Sequence, residues 1–169
     1  IWSTDAGQVL GGTTYTTNST ISGTSNQKLF QSERYGKNFS YTKFVPNGSY
    51  IINLNFAEIY YSKAGERVFN VDVNGTRILG NFDILTQTTP FTALTKSYPL
   101  TVTSGQIKIE FSTISDNAKI ASLEIVQPTT PTNTPSPTIT PTPIPTIQPS
   151  FSPIRFNSGV TTTDNNNNI

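Results

Sequence analysis

The chain has 169 residues, of which 34% are apolar and only 12% charged, and its formal net charge is +1. Globular chains usually carry about 25% charged residues, so Ser, Thr and Asn must provide much of this surface. No run of Lys or Arg occurs, which argues against nucleic acid or an anionic membrane as a partner. No apolar run approaches the roughly 20 residues of a membrane-spanning helix.

Cysteine, methionine and histidine are absent. Disulfides, zinc clusters and Ser/His or Cys/His nucleophilic sites therefore cannot be built from this chain. Glu58 and Asp72 lie in different predicted strands, and two such carboxylates could form the catalytic pair of a glycosidase. No further residue indicates an acid/base site around them. We expect no enzyme activity, no catalytic residue, no metal and no cofactor.

Alternating apolar residues predict a series of strands. Residues 50–56 alternate with period 2, the pattern of a strand that buries one face. Residues 69–73 alternate in the same way and run into Asn74-Gly75, the dipeptide best suited to a type I′ turn. Residues 76–79 should therefore return as the second arm of a hairpin.

The pattern continues toward the C-terminal side. Residues 98–102 and 107–111 alternate on either side of a Ser104-Gly105 turn, and residues 121–125 close the series. No stretch has convincing i, i+3, i+4 apolar spacing. An all-β fold, an antiparallel β-sandwich, is the economical prediction.

The composition changes at Pro128, and proline then recurs at nearly every second or third position up to Pro153. Such a segment favours an extended polyproline II conformation. It is typical of a spacer between modules and of an O-glycosylated stalk, and the two interpretations are compatible. The candidate O-glycosylation sites are Thr132, Thr134, Ser136, Thr138, Thr140, Thr142 and Thr146.

Four Asn-x-Ser/Thr sequons offer candidate N-glycosylation sites, although a chain this rich in Asn and Thr also produces sequons by chance. They lie at Asn18, Asn38, Asn47 and Asn74. The sequence opens at Ile1 without a Met or a signal peptide, as a processed or excised product would. We expect a secreted or extracellular protein.

Four separated motifs resemble those of one family. They are FQSERY at 30–35, NFAEIYY at 55–61, GERVFNVDVNG at 65–75 and DNAKIA at 116–121. In this order they are similar to motifs of the malectin and malectin-like family, and the resemblance covers about residues 27–126. It implies a jelly-roll type lectin sandwich, which binds glucose-containing oligosaccharides in animals and serves as a carbohydrate-binding or extracellular module in bacteria and plants.

The resemblance also implies a carbohydrate-binding site. Matched position by position, the family's ligand contacts fall on Tyr35, Tyr60, Tyr61 and Asp116, and Tyr15 is a guess for a further family tyrosine. The chemistry suits a sugar, because aromatic faces stack on sugar rings and a carboxylate accepts paired hydroxyl hydrogen bonds.

Several of these positions also have a purely structural interpretation. Tyr35 or Tyr60 could be a half-buried tyrosine of the sandwich, whereas Tyr61 and Asp116 lie outside the alternating pattern and should be exposed. For Glu33 and Arg34 we favour an ion pair that holds a loop over contact with a ligand.

The family's opening strand stands at the wrong end of this chain. The segment IRFNSG at 154–159 resembles that strand, while its continuation stands at 1–7, so reading residue 169 into residue 1 restores the family order. The chain therefore resembles one period of a tandem repeat or a circularly permuted domain. As polyproline II, the segment 128–153 would span roughly 80 Å, about twice the width of a domain of roughly 40 Å.

We therefore predict a malectin-like sandwich over 1–127 that lacks its first strand, a connector over 128–153, and over 154–169 the first strand and loop of a malectin-like domain, that of the next repeat or subunit. The donor strand is Ile154, Arg155, Phe156 and Asn157, with the first and third side chains in a core and the arginine outside. Donation would join identical subunits or repeats head to tail into an extracellular glycosylated filament. The alternative is a carbohydrate-binding module of a larger secreted glycan-active or receptor protein.

Overall fold

A computed structural model of the chain describes residues 3–128 and 154–157. Its strands are β1 (Ser3–Thr4), β2 (Val9–Thr16), β3 (Ser32–Phe44), β4 (Gly48–Phe56), β5 (Val68–Val73), β6 (Thr76–Phe82), β7 (Leu94–Val102), β8 (Gln106–Ser115), β9 (Ala118–Ile120), β10 (Ser122–Val126) and β11 (Ile154–Asn157). The helices in these ranges are two single 3₁₀ turns, Gln27–Leu29 and Ile84–Thr86. The predicted all-β class is confirmed, and the predicted connector lies outside the described residues.

The strands form two sheets. Sheet A has the order β1-β11-β10-β4-β7, and sheet B has the order β2-β3-β8-β5-β6, with β9 paired to β3. Apart from β1 and β11, which run parallel, the paired strands are antiparallel. Antiparallel sheets can bury one face and expose the other to water. The alternation of apolar and polar residues in the sequence requires such an arrangement.

The core lies where alternate side chains of the two sheets meet. Phe39 of β3 and Phe111 of β8 stack with their ring centroids 4.5 Å apart, and Phe56 of β4 lies 5.1 Å from Phe82 of β6. Further members of this core are Tyr50, Ile52, Leu54, Phe69, Val71, Ile107, Ile109, Leu123 and Ile125. Burial of these side chains supplies the main favourable term in folding.

The predicted hairpin is confirmed. Strands β5 and β6 are joined by Asn74 and Gly75, which have φ angles of 46° and 80°. Positive φ at both central residues gives the twist that a two-residue antiparallel connection needs. Asn and Gly adopt that conformation most readily.

A smaller apolar cluster lies beneath the loops at one end of the sandwich. It consists of Ile21, Leu29, Phe30, Ala57, Ile59 and Ala121. Ala57 and Ile59 directly follow β4, so the cluster fixes the start of the loop that leaves this strand. Because packed side chains restrict backbone freedom, residues displayed from this loop are held in place.

Strand β11 is inserted between β10 and β1. It pairs antiparallel with β10, and Arg155, opposite Glu124 in the register, forms an ion pair with that residue. That β11 is the family's first strand stays a prediction. The sheet that it completes belongs to the same chain, however, whereas we expected that of an adjacent copy. A segment of 26 residues, which would span roughly 80 Å as polyproline II, suffices to return the strand to its own domain.

The two faces of sheet B offer a matched test of the core. Phe111 is buried between the sheets, whereas Phe44 is 78% exposed. We expect Phe111→Ala to lower the free energy of unfolding by about 3–5 kcal/mol, because it leaves a cavity in the core. Phe44→Ala should change it by no more than about 0.5 kcal/mol. Urea unfolding followed by circular dichroism measures both, and equal losses would contradict this description of the core.

Candidate functional site

A cavity of about 220 Å³ lies at the end of the sandwich where β4 and β8 finish. Tyrosines and charged groups line it: Tyr15, Glu33, Tyr35, Tyr60, Tyr61, Arg67, Asp116 and Asn117. We call this cavity the end pocket. It brings together all four predicted ligand contacts and the tyrosine of β2 that was a guess.

Two neighbouring tyrosines form one wall of the end pocket. Glu58 Oε1 accepts the backbone N–H groups of Tyr60 and Tyr61 at 3.0 and 3.1 Å. The two rings stand nearly perpendicular, with centroids 4.9 Å apart. Tyr60 is 69% exposed, so the interpretation of this residue as a half-buried sandwich tyrosine is wrong. Tyr61, which we expected to be exposed, is half-buried. The carboxylate of Glu58 thus fixes the backbone from which both rings project.

Asp116 is held in a turn on the opposite side of the end pocket. Its φ of 57° is a left-handed conformation that Asp tolerates better than most residues. Arg67 Nη1 lies 3.0 Å from Asp116 Oδ2 and donates to the backbone oxygen of Asn117 at 2.6 Å. The Asp116 side chain keeps 30% of its surface exposed. Its carboxylate is therefore fixed and still open to a ligand.

Arg67 connects the two sides of the end pocket. Its Nε donates to Glu58 Oε2 at 2.7 Å, and its guanidinium carbon lies 5.1 Å from the centre of the Tyr61 ring. A guanidinium over an aromatic face is a favourable cation–π contact. One buried side chain thus contacts the carboxylate that orients the tyrosines, one of those tyrosines, and Asp116.

A second buried cation extends this network below the end pocket. Lys119 of β9 is fully buried, forms an ion pair with Glu33, and places its Nζ 3.6 Å from Glu58 Oε1. We call Glu33, Glu58, Arg67 and Lys119 the buried charge network. Removing one partner of a buried ion pair leaves an uncompensated charge and typically costs about 3–5 kcal/mol.

The two carboxyl groups of the buried charge network differ in pKa. Burial raises the pKa of Glu33 above its ordinary value, and its ion pair with Lys119 offsets only part of this effect. Burial would also raise the pKa of Glu58, but the charges of Lys119 and Arg67, with the hydrogen bonds from Arg67 and the backbone N–H of Tyr61, outweigh it. The pKa of Glu58 is therefore lowered, which keeps this carboxylate ionised.

The predicted ion pair between Glu33 and Arg34 is wrong. Glu33 pairs with Lys119, while Arg34 pairs with Asp5, with an Nε to Oδ2 distance of 2.7 Å. The reason is geometric: successive side chains of a strand point to opposite faces of the sheet. Glu33 faces the end pocket, and Arg34 holds the segment that follows β1.

Tyr35 and Tyr15 come from neighbouring strands. Tyr35 of β3 is half-buried, as its structural interpretation has it, and it also lines the end pocket, so its role as a ligand contact stays a prediction. Tyr15 of β2 lies opposite Glu33 in the register and is 43% exposed. Sequence reasoning missed Arg67 and Asn117, although both stand within or beside the quoted motifs.

The candidate N-glycosylation sites differ in the hydrogen bonds that their side-chain amides make. Asn74 Nδ2 donates to the backbone oxygen of Gln106, and its Oδ1 accepts the N–H of Lys108. Asn47 Oδ1 accepts the N–H of Gly105, and all four asparagines are exposed. The O-glycosylation candidates between 132 and 146 lie outside the described residues.

The described residues give no geometric support to other classes of site. Glu58 is buried in ion pairs, and Asp72 pairs with Arg77 on the outer face of sheet B, so these carboxylates share no cleft. Residues 3–128 and 154–157 contain no cluster of three acidic groups able to hold a metal ion. No helix of this part of the chain has the length and apolar character needed to cross a membrane.

A β-sandwich with a pocket of tyrosines and one open carboxylate at its end defines a lectin-type binding domain. The family model of the Malectin domain matches residues 2–131. The chain therefore belongs to the malectin domain family, which is a family of non-enzymatic carbohydrate-binding domains.

Curated relatives agree with this assignment. Malectin-B of Xenopus laevis is 30% identical over 121 residues, covering 62% of this chain and 44% of that protein. Malectin of Homo sapiens is 29% identical over 120 residues, covering 62% of this chain and 41% of that protein. The chain thus spans less than half the length of these relatives.

Solved structures show the same fold. The ANX1 ectodomain of Arabidopsis thaliana has a TM-score of 0.65 at 18% identity, covering 72% of this chain and 40% of that chain. A Bacteroides uniformis β-glucuronidase has a TM-score of 0.62 at 26% identity, covering 69% of this chain but only 14% of the enzyme. The sandwich is therefore found as one part of larger proteins.

The buried charge network predicts a contrast between two isosteric variants. The lowered pKa of Glu58 means that its stabilising contribution is present above about pH 4.5 and is lost as pH falls through its folded pKa. We expect Glu58→Gln to lower the free energy of unfolding by about 3–5 kcal/mol at pH 7. The variant should then lose less stability than the original chain when the pH is lowered.

Glu33→Gln should lower the free energy of unfolding by less than Glu58→Gln does. Burial disfavours ionised Glu33, and Lys119 retains the nearby carboxylate of Glu58 when Glu33 is replaced. As pH falls through the raised pKa of Glu33, the folded state takes up a proton more readily than the unfolded state and gains stability. Urea unfolding at pH 7 and in acid compares the variants. A larger loss for Glu33→Gln at pH 7 would contradict the assignment.

Proposed function

We propose that this domain is an extracellular carbohydrate-binding module of a larger protein and that the end pocket binds the sugar. One observation carries the proposal: the buried charge network holds tyrosine rings and a half-open carboxylate around one cavity. The family assignment gives the ligand class, and the ANX1 likeness supports an extracellular setting.

The wall of the end pocket has the chemistry that a sugar requires. Tyr60 and Tyr61 offer aromatic faces to the C–H surface of a pyranose ring. Asp116 accepts hydrogen bonds from neighbouring hydroxyl groups, and its ion pair with Arg67 fixes the position of this carboxylate. Tyr15 and Tyr35 close the side formed by β2 and β3.

The size of the end pocket limits what enters it. Its volume of about 220 Å³ is below the range of about 300–1,000 Å³ that is typical of sites for drug-sized ligands. We infer that one sugar residue occupies the pocket and that the remainder of an oligosaccharide extends along the exposed Tyr60.

A double variant tests this site. Tyr61→Ala combined with Asp116→Ala should lower affinity on a glycan array at least about 30-fold, since each change removes a favourable contact of about 1–3 kcal/mol. The control is Phe44→Ala, which removes an exposed aromatic ring from the far part of sheet B. Unchanged glycan binding by the double variant would reject the end pocket as the site.

We also propose, as a second function, that copies of this chain exchange β11 and assemble head to tail into a glycosylated filament. A strand that lies between β10 and β1 and follows a long connector makes the same pairings with its own domain or with a neighbour. The Thr and Ser hydroxyls between 129 and 152 would then carry glycans that shield the connector. The order of the family's segments in this sequence supports the proposal.

Removing residues 154–169 tests strand exchange. We expect the shortened chain to expose β10 as an open edge and to form no filaments in electron micrographs, whereas the full chain forms uniform fibres. A peptide of residues 154–169 should restore a closed, monomeric sandwich. Monomers of the full chain at every concentration, measured by analytical ultracentrifugation, would reject the filament and leave the strand as an intramolecular element.

A further inference from the structure

The outer face of sheet B carries a groove that is separate from the end pocket. It encloses about 560 Å³, within the range of about 300–1,000 Å³ that is typical of ligand sites. One outward-facing row crosses it, with one side chain from each of five strands. In register, the row consists of Leu10, Ser40, Glu110, Asp72 and Arg77.

The row has the dimensions of an extended binding surface. Four strand spacings of about 4.8 Å give it a length of about 19 Å. Asn38 and Ser112 face each other in the neighbouring row and also line the groove. We call this surface the sheet B groove.

The charges in the sheet B groove are not arranged for stability. Asp72 and Glu110 lie directly opposite each other on β5 and β8, and like charges in that position destabilise a sheet. Arg77 neutralises the first, with Nε 2.6 Å from Oδ1, and Lys108 neutralises the second, with Nζ 2.6 Å from Oε1. Both ion pairs are substantially exposed, so they add little to stability.

The same arrangement selects a class of ligand. Two carboxylates and two cations sum to zero, which favours neither a polyanion nor a polycation. The groove offers acceptors at Asp72 and Glu110, donors at Arg77, and groups of both kinds at Asn38 and Ser40. Hydroxyl groups both donate and accept, so a neutral, hydroxyl-rich chain matches this surface.

We propose that the sheet B groove is a second carbohydrate site, which binds a neutral linear glycan laid across the five strands. The ligand class rests on the proposed function, but the residues are separate from those of the end pocket. On β3, Ser40 lies five positions beyond Tyr35, or about 17 Å along an extended strand. Two sites at this spacing would let one module hold a long chain at two places and gain avidity.

Nuclear magnetic resonance of the ¹⁵N-labelled full chain tests the proposal, with maltoheptaose, laminariheptaose and mannohexaose as probes. We expect at least one of them to give saturable shifts at the amides of Ser40, Asp72 and Glu110. These shifts should persist in the Tyr61→Ala/Asp116→Ala variant. If the end pocket binds no sugar, the shifts at the sheet B groove can therefore still be interpreted.

Isosteric variants give the decisive comparison. Asp72→Asn with Glu110→Gln should weaken binding at the groove about tenfold, because charge-assisted hydrogen bonds become neutral ones, and should leave the end-pocket shifts unchanged. The control is Ser49→Ala with Thr101→Ala, an exposed cross-strand pair on the outer face of sheet A. It should leave binding at the groove intact.

Three results would overturn the proposal. The first is the absence of saturable shifts in the groove with all three probes. The second is an affinity at the groove that the Asp72 and Glu110 changes do not alter. The third is a glycan attached to Asn38 in native material, found by glycopeptide mass spectrometry, because it would fill the groove from within.

Discussion

The end pocket depends on burying opposite charges where a sandwich would ordinarily place apolar side chains. Glu58 and Lys119 are almost completely enclosed, and each has a partner of opposite sign. Desolvating such groups is costly, and their mutual attraction often only offsets that cost. The network is therefore better understood through what it positions than as a source of stability. It fixes the Tyr60 and Tyr61 backbone and the Asp116 carboxylate.

The rest of the sandwich supports this arrangement from both sheets. Glu58 follows β4 of sheet A, whereas Glu33 and Lys119 come from β3 and β9 in sheet B. The charges can meet only if the two sheets pack at the correct distance, which the large aromatic core sets. A defect in the core would therefore disturb the end pocket without touching a residue that lines it.

The sequence predicted the strands whose burial alternates and missed those whose burial does not. Residues of β5 and β8 alternate between buried and half-exposed, so their apolar period was visible. Strand β2 is exposed along nearly all of its length and carries Gly, Thr and Tyr without an apolar period. Only its pairing with β3 makes it a strand, and pairing between distant segments leaves no local signature.

The end pocket shows the same division between local and distant information. Resemblance identified the tyrosines and Asp116 because short motifs contain them. The motifs did not reveal the partners of the charges, because the contacts of Lys119 with Glu33 and Glu58 join segments 61 to 86 residues apart. A hint was present in Lys119, which stands between Ala118 and Ile120 in an apolar setting. A lysine there implies a buried counter-ion, but the sequence does not say which carboxylate supplies it.

Strand closure and the end pocket share one segment of chain. Lys119 lies on β9, and the chain passes through Ala121 directly into β10, the strand against which β11 pairs. The N–H of Ala121 donates to the backbone oxygen of Asn55 in β4, just before the loop that carries Tyr60. Pairing of β11 therefore stabilises the strands that hold the buried charge network. On the proposed function, a sandwich without this strand would lack a support of the end pocket, so sugar affinity would depend on the pairing of β11.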